Sequence, residues 1–483
     1  MPVPMPDINL IALLPEILIL LVAMGVLLLT AWSRETTQPL LGLVAMAGVA
    51  LAGGILLIQT GMTTTTFGGL FVLDPFASAM KLLMLVATLL PLLMSWDYLA
   101  RHRLDIGEYF VLTLFALLGG MLMASSGDFI TLYLGLELMS LSIYVLAAFN
   151  RDDPKSNEAG LKYFVLGSMA SGLLLYGISL IYGGAGGTGF AAVAQAMGEG
   201  GGHAPGIGLR LGVVLVLAGM AFKIAAAPFH MWAPDVYQGA PTSVTAFMAA
   251  MPKIAGFAAI YRVLLEPFGP MQSQWGPILQ FLAVASLAVG ALAAIAQTNI
   301  KRMLAYSSIG HVGYALIGLA SGTELGFRSV LIYLAIYIFM NLGTFALILV
   351  VNNAGVGDEI NDYRGLAKKR PLLAFLMAIF MFAMAGIPPL AGFIGKFYVF
   401  MAAVKAGMIG LAVTGVLFSA VGAYYYLRVV QRMYFEEAET AFRMEVGLLS
   451  RLVIAVSTLA VLYWGLLPGG LIDWAEASIR PLL

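Results

Sequence analysis

Four ionisable residues stand alone inside long apolar stretches: Glu137 in FITLYLGLELMSLSIYVLAAF, Lys223 in LGVVLVLAGMAFKIAAAPF, Lys253 in VTAFMAAMPKIAGFAAI and Lys396 in PPLAGFIGKFYVFMAAV. An ionised side chain at the centre of a membrane helix costs roughly 2.5–3.5 kcal/mol on insertion scales, so each must face protein or water rather than lipid. A carboxylate and three amines placed this way are suited to holding and passing protons, and an ion or proton path is their default reading. His311 adds an imidazole that titrates near neutrality with little perturbation. Lys162 is a candidate point of proton uptake, although Glu158 one turn earlier makes an ordinary helix-surface pair an equal reading. His230 is expected to cap or line the end of an interrupted helix, with proton carriage the lesser alternative. Lys81 and Glu16 lie nearer the ends of apolar runs, where snorkelling toward the interface is the cheaper account. Asp235, within APDVYQGAP, reads as a turn and cap residue, and the run Tyr424 to Tyr426 as packing.

The elements that must position these groups follow from composition. Of 483 residues, 61% are hydrophobic and 10% charged, and the mean hydropathy is +0.95. These values define a polytopic membrane protein with no room for a soluble domain of ordinary size. Cysteine is absent, which excludes disulfides and thiolate ligation of iron–sulfur clusters on this chain. The zero net charge gives no reason to expect nucleic acid as a partner. No metal-ligand spacing or nucleotide-binding glycine motif stands in a suitable context.

A helix crossing about 30 Å of hydrocarbon needs about 20 residues, and fourteen apolar runs of that size are expected. They lie near 9–31, 39–60, 71–95, 108–125, 128–149, 160–182, 210–231, 240–265, 274–297, 302–320, 328–351, 371–404, 408–433 and 448–468. The joints between them carry charge in alternation. Arg34, Arg101, Arg103, Arg151, Lys155, Lys301, Arg302, Arg364, Lys368, Lys369, Arg370, Arg428, Arg432, Arg443 and Arg451 fall on one side, fifteen cations against Arg210, Arg262, Arg328, Lys405 and Arg480 on the other. The positive-inside rule makes the rich side cytoplasmic and puts both termini outside.

Two spans cannot be plain helices. The run from Pro371 to Val404 would form a straight helix about 50 Å long, and GIPPLAG at 386–392 supplies its break, because Pro388 and Pro389 lack helical donors. The seventh span has a similar interruption at Pro228. Spans seven and twelve run in opposite directions, the expected sign of inverted repeats with broken helices beside an ion path. The fold class is thus all-α, with about fourteen transmembrane helices. Its single membrane domain divides into N-terminal helices (1–107), two five-helix repeats (108–265 and 266–433) and a C-terminal helix (434–483). Glu137, Lys223, Lys253, His311 and Lys396 fall at similar depth, a layer that suits lateral proton relay.

The stretches GLELMSLSIY (135–144), KIAAAPFHMWAPDVYQGAPTSVTAFMAAMPKIA (223–255), QTNIKRMLAYSSIGHVGYALIG (297–318) and AGIPPLAGFIGKFYVF (385–400) resemble the antiporter-like subunits of respiratory complex I, membrane-bound hydrogenases and multisubunit sodium/proton antiporters. The VYQGAP and GFIGKFYVF variants resemble the subunit N branch, and the likeness runs over nearly the whole chain. The resemblance implies half-channels in which Glu137 faces Lys223, Lys253 is a bridge, His311 links Lys253 to Lys396, and Lys396 feeds the exit. It also implies a multi-pass protein of a bacterial inner membrane, partnered by other membrane-arm subunits. FMN, iron–sulfur clusters, NADH and quinone are then carried by those partners, with no cofactor on this chain. A sodium/proton antiporter subunit and a structural spacer are the alternatives. At position 396 an acid is expected to replace the lysine better than leucine does.

Overall fold

The computed structural model describes residues 8–32, 38–104, 106–198, 206–437 and 445–483; Arg34, Arg443 and most of the GEGGGHAPG loop lie outside them. The chain is built of helices α1 (Leu14–Trp32), α2 (Gln38–Ile58), α3 (Pro75–Arg101), α4 (Gly107–Ala124), α5 (Phe129–Ala147), α6 (Pro154–Ala185) and α7 (Phe190–Gly198). These are followed by α8 (Ile207–Lys223), α9 (Trp232–Gly239), α10 (Thr242–Leu265), α11 (Gln272–Ile295), α12 (Ile300–Ala320) and α13 (Glu324–Asn353). The last group is α14 (Leu366–Lys369), α15 (Pro371–Ala385), α16 (Ala391–Lys405), α17 (Ile409–Phe435), α18 (Leu448–Leu466) and α19 (Gly469–Ile479). Twelve helices of the described residues are long and apolar enough to cross a membrane. Two further stretches, Ile207–Gly239 and Pro371–Lys405, are each split into two shorter helices.

Local chemistry sets the helix starts. Asp74 caps α3 by accepting from the Ala77 amide at 2.7 Å, with Pro75 following in the first turn. Asp128 does the same for α5 and Asp153 for α6, as short acceptor side chains do at orphan helix donors. The joint after α2 forms a small antiparallel hairpin pairing Thr64–Thr66 with Phe71–Leu73. Its Val72 amide donates to the Ser125 carbonyl at 2.8 Å, tying the hairpin to the end of α4.

The basic joints meet at one end of the bundle. There Arg101 donates to the Asn353 carbonyl (2.8 Å) and Lys301 to that of Ala240 (2.9 Å). At the same end Arg364 pairs with Glu436 (2.7 Å), and Arg428 donates to the carbonyls of Ile295 and Gln297, both at 2.6 Å. The opposite end gathers Asn9 on Thr66 (2.8 Å), Thr188 on Asp128 (2.6 Å), Gln272 on Gly322 (3.0 Å), and the Arg328–Glu476 pair.

Burial sorts the helices by task. The most apolar window of α10 lies wholly inside, and those of α12 and α13 are 94% buried, whereas those of α1, α17 and α18 are 33% buried and leave apolar side chains outward. A helix that is apolar all round is a buried one, and one buried on a single stripe faces lipid here. The helices carrying Lys253 and His311 are therefore the central ones. Two hairpins close on glycine contacts. A Cβ on Gly119 of α4 would stand 2.4 Å from the Gly135 carbonyl of α5, and one on Gly290 of α11 would stand 2.5 Å from the Gly310 amide of α12. Only glycine permits such close backbone approach.

Candidate functional site

Both interrupted spans end a helix at or against a buried lysine. Helix α8 stops at Lys223 itself, five residues before the proline that the sequence reading made the break. Ala225 then takes a left-handed backbone (φ +59°), with its amide on the Phe222 carbonyl and that of Ala226 on the Ala221 carbonyl. The Ala227 amide donates to Ser286 of α11 at 2.9 Å, and the Trp232 indole donates to the Phe222 carbonyl at 3.0 Å. The break is thus held from both sides, and Trp232 stacks on Tyr163 of α6 at 4.2 Å. His230 sits half-buried in this linker, as expected of a residue lining the interruption.

Helix α15 ends at Ala385 with Gly386 left-handed (φ +88°). Lys396, a turn into α16, folds back so that its ammonium donates to the carbonyls of Met384 (3.0 Å) and Ala385 (2.9 Å) and to Ser419 of α17 (2.9 Å). The last carbonyls of a helix have no partner within it, and a cation there also meets the negative end of the helix dipole. The ammonium lies 4.7 Å from the centre of the Tyr314 ring, a cation–π contact.

Four of the five central groups are enclosed, Lys223, Lys253, His311 and Lys396 being 3% to 6% exposed, and Glu137 is half-buried. The Lys223 ammonium donates to Ser140 of α5, and to the Tyr144 hydroxyl at 3.3 Å. Glu137 lies one turn before Ser140 but makes no ion pair with Lys223 among the described residues; its Oε1 is buried without a hydrogen-bond partner. A static buried ion pair holding α5 to α8 is therefore not what these two residues form.

A second cluster runs across the centre. Lys253 donates to Ser308 Oγ at 2.7 Å and to the Ser308 carbonyl at 3.3 Å. One turn on, His311 Nδ1 meets the Tyr333 hydroxyl at 2.6 Å and Nε2 the Tyr426 hydroxyl at 3.1 Å. Tyr426 also bonds Ser307. A small void of about 10 Å³, lined among others by Ser307, His311, Tyr314, Lys396 and Tyr426, is about the least space that holds one water. The structure thus brings Lys253, His311 and Lys396 into one polar neighbourhood, whereas no hydrogen bond joins Lys223 to Lys253. Tyr426, taken from sequence as packing, is part of this network. A tyrosine in an apolar helix carries no sign of which hydroxyl will be buried against an imidazole, and Tyr333 was missed for the same reason.

At the basic end, Lys162 bridges Glu158 and Asp235, both at 2.7 Å, and Asp235 also takes Arg302 at 2.5 Å. Both readings of Lys162 keep their footing: the helix-surface pair with Glu158 is present, and a cavity of about 190 Å³ opens beside it, lined by Lys155, Glu158, Lys162, Asp235 and Gln238. Asp235 is no simple cap, since it joins α6 and α12 through two cations.

The snorkelling account of Lys81 and Glu16 is overturned. They form an ion pair at 2.6 Å, 0% and 3% exposed, between α3 and α1, close in distance though not aligned as a hydrogen bond. Two residues sixty-five positions apart give no pairing signal in one sequence. Beside them Arg262 is held by Asp74 at 2.8 Å, by Glu266 at 2.6 Å and by the Ala124 carbonyl at 3.0 Å. Removing one partner of a buried pair costs about 3–5 kcal/mol, while replacing both is often neutral. Lys81→Met is accordingly expected to lower the thermal stability and amount of assembled protein, and Glu16→Gln/Lys81→Met to recover most of it, as measured by melting of the purified membrane assembly.

Broken helices aimed at buried lysines, in a bundle of this size, define an antiporter-like membrane subunit. The sequence matches the family described as NADH:quinone oxidoreductase/Mrp antiporter, TM, over residues 126–422. It is 60% identical over 486 residues, covering 100% of both chains, to NADH-quinone oxidoreductase subunit N of Magnetococcus marinus. It is 50% identical, covering 98% of both, to the protein of that name in Paramagnetospirillum magneticum. The chain belongs to the subunit N family of NADH-quinone oxidoreductases. A chain of respiratory complex I from Thermus thermophilus superposes with TM-score 0.80 at 33% identity, covering 95% of this chain and 99% of that one. The fold is shared more widely, with TM-score 0.87 at 20% identity to a chain of the Mrp complex from Dietzia, over 98% of each.

Proposed function

We propose that this chain is a proton-translocating membrane subunit of a bacterial NADH-quinone oxidoreductase, in which redox chemistry on FMN, iron–sulfur clusters and quinone takes place on partner subunits. Glu137, Lys223, Lys253, His311 and Lys396 are the relay groups, with uptake beside Lys162 and His230 an accessory in the linker of the seventh span. The observation that carries this reading is the run of polar side chains from Lys253 through Ser308 and the His311–Tyr426–Ser307 group to Lys396. Hydroxyls both donate and accept, so they can hand a proton between titratable groups without themselves ionising. The α8/α9 and α15/α16 pairs complete fourteen crossings. The matched glycine contacts of α4 with α5 and of α11 with α12 support two repeats, over 108–265 and 266–433, between N-terminal helices and a C-terminal one.

Tyr426→Phe tests the relay directly, because it keeps the ring and every charge while removing one hydroxyl. That hydroxyl bonds both His311 and Ser307, and loss of even one such bond of about 1 kcal/mol corresponds to about a fivefold change. The variant is expected to slow proton uptake into vesicles by about that factor while leaving assembly intact. A spacer held together by buried charge would show no change, and an unaltered rate in assembled complex removes the relay.

The cation-rich end is the cytoplasmic one, with both termini on the outer face. The chain has no cysteine of its own, so single cysteines introduced near residue 365 and near residue 187 are expected to react from the cytoplasmic and outer faces respectively. The reverse pattern inverts the direction of the relay.

A further inference from the structure

Between α15 and α18, at the basic end, lies a cleft of about 770 Å³ that no part of the proton relay uses. Its rim carries Lys369, Arg370 and Arg451, and its walls are Leu372, Leu373, Leu376, Ile454, Ala455 and Leu459. From Arg451 to Leu459 the wall descends about 12 Å along α18 at 1.5 Å per residue. Cations at one level with apolar wall beneath match a phospholipid, whose phosphate sits at the interface and whose chains enter the hydrocarbon. The apolar wall is open to the membrane, with Leu372 67% and Leu459 65% exposed.

Charge gives the class of lipid. No carboxylate lines the cleft among the described residues. Of the acids near it, Glu436 and Glu437 are engaged by Arg364 at 2.7 Å and Lys368 at 3.8 Å, while Asp97, against Gly447, and Glu445, next to Val446, adjoin the cleft without lining it. Lys369 and Arg451 form no ion pair among the described residues, and Arg451 uses only its Nε, on the Val446 carbonyl at 2.8 Å. Its two terminal nitrogens remain for a phosphate, which guanidinium binds in fork geometry. Basic pockets between membrane helices on the cytoplasmic side are suited to anionic head groups, with about tenfold or more in occupancy from a pair of cations. We infer that this cleft is a binding site for an anionic glycerophospholipid, its phosphate on Lys369, Arg370 and Arg451 and its acyl chains against α15 and α18.

The test uses membranes carrying the assembled complex, supplied with phosphatidylglycerol or phosphatidylcholine bearing a photoactivatable diazirine on the acyl chain. Mass spectrometry of this chain is expected to find phosphatidylglycerol cross-linked to peptides containing residues 372–376 and 454–459, at about tenfold the yield of phosphatidylcholine. The preference should vanish in Lys369→Gln/Arg451→Gln, checked for normal assembly and NADH oxidation. Equal labelling by both lipids, or a preference unchanged in the double variant, overturns the inference. Absence of label from either lipid in the intact complex would show that a protein helix fills the cleft, and would equally overturn it.

Discussion

Lys396→Leu is expected to abolish most proton translocation and to weaken the junction of α15 with α16. The ammonium of Lys396 satisfies the Met384 and Ala385 carbonyls and Ser419. A buried acceptor left without a partner costs about 1–3 kcal/mol, so an apolar replacement loses both the relay group and the cap. Vesicle acidification and the melting temperature of the assembled complex should both fall, the first by about tenfold or more, a barrier increase of about 1.4 kcal/mol. The same geometry reverses the expectation from sequence about an acid at this position. An ionised carboxylate in place of the ammonium would face two carbonyl oxygens and repel both. Lys396→Glu is therefore expected to pump no better than Lys396→Leu, and pumping close to wild type would show that the carbonyl contacts are dispensable.

The second large effect is at Lys223. Lys223→Met fills a similar volume without a titratable group, and translocation is expected to fall by about tenfold or more with assembly retained. Lys223→Arg should be nearly as poor, because a guanidinium keeps its proton at any accessible pH and the planar fork does not match the Ser140 and Tyr144 acceptors. Glu137→Gln separates charge from packing at the same place. Glu137 forms no ion pair with Lys223, so the amide is expected to leave stability unchanged while altering turnover through the lost negative charge. A melting temperature lowered as far by Gln as by Ala would mean that the carboxylate is structural after all.

How much of this was legible in the sequence depends on the range of the interaction. Buried charge inside apolar runs is a local signal, and it marked Glu137, Lys223, Lys253 and Lys396 as the enclosed or half-enclosed groups that the structure contains. Proline placed the break of the twelfth span, where Gly386 and Pro388 adjoin the end of α15. It misplaced the break of the seventh, because nothing local announces that Ala225 will turn left-handed at a point held by Ser286 and Trp232 from elsewhere in the fold. Contacts between distant segments were the ones missed. The Glu16–Lys81 pair, the bridge from Asp235 to Lys162 and Arg302, and the hydroxyls of Tyr333 and Tyr426 on His311 all depend on which helices become neighbours. Periodicity within one helix does not encode that.

The cap that Lys396 places on α15 makes the proton a fastener. An ammonium has three N–H groups, and three acceptors surround it: Met384 O, Ala385 O and Ser419 Oγ. A neutral amine keeps two donors for the two carbonyls and offers a lone pair to which the Ser419 hydroxyl can donate, so when the proton leaves, three charge-assisted bonds become neutral ones of about half the strength. The junction between the two half-helices is thus tighter when loaded than when empty. Stiffness of the twelfth span then reports occupancy, and any force that opens the junction also lowers the affinity of Lys396 for its proton, because binding and bending draw on the same three bonds.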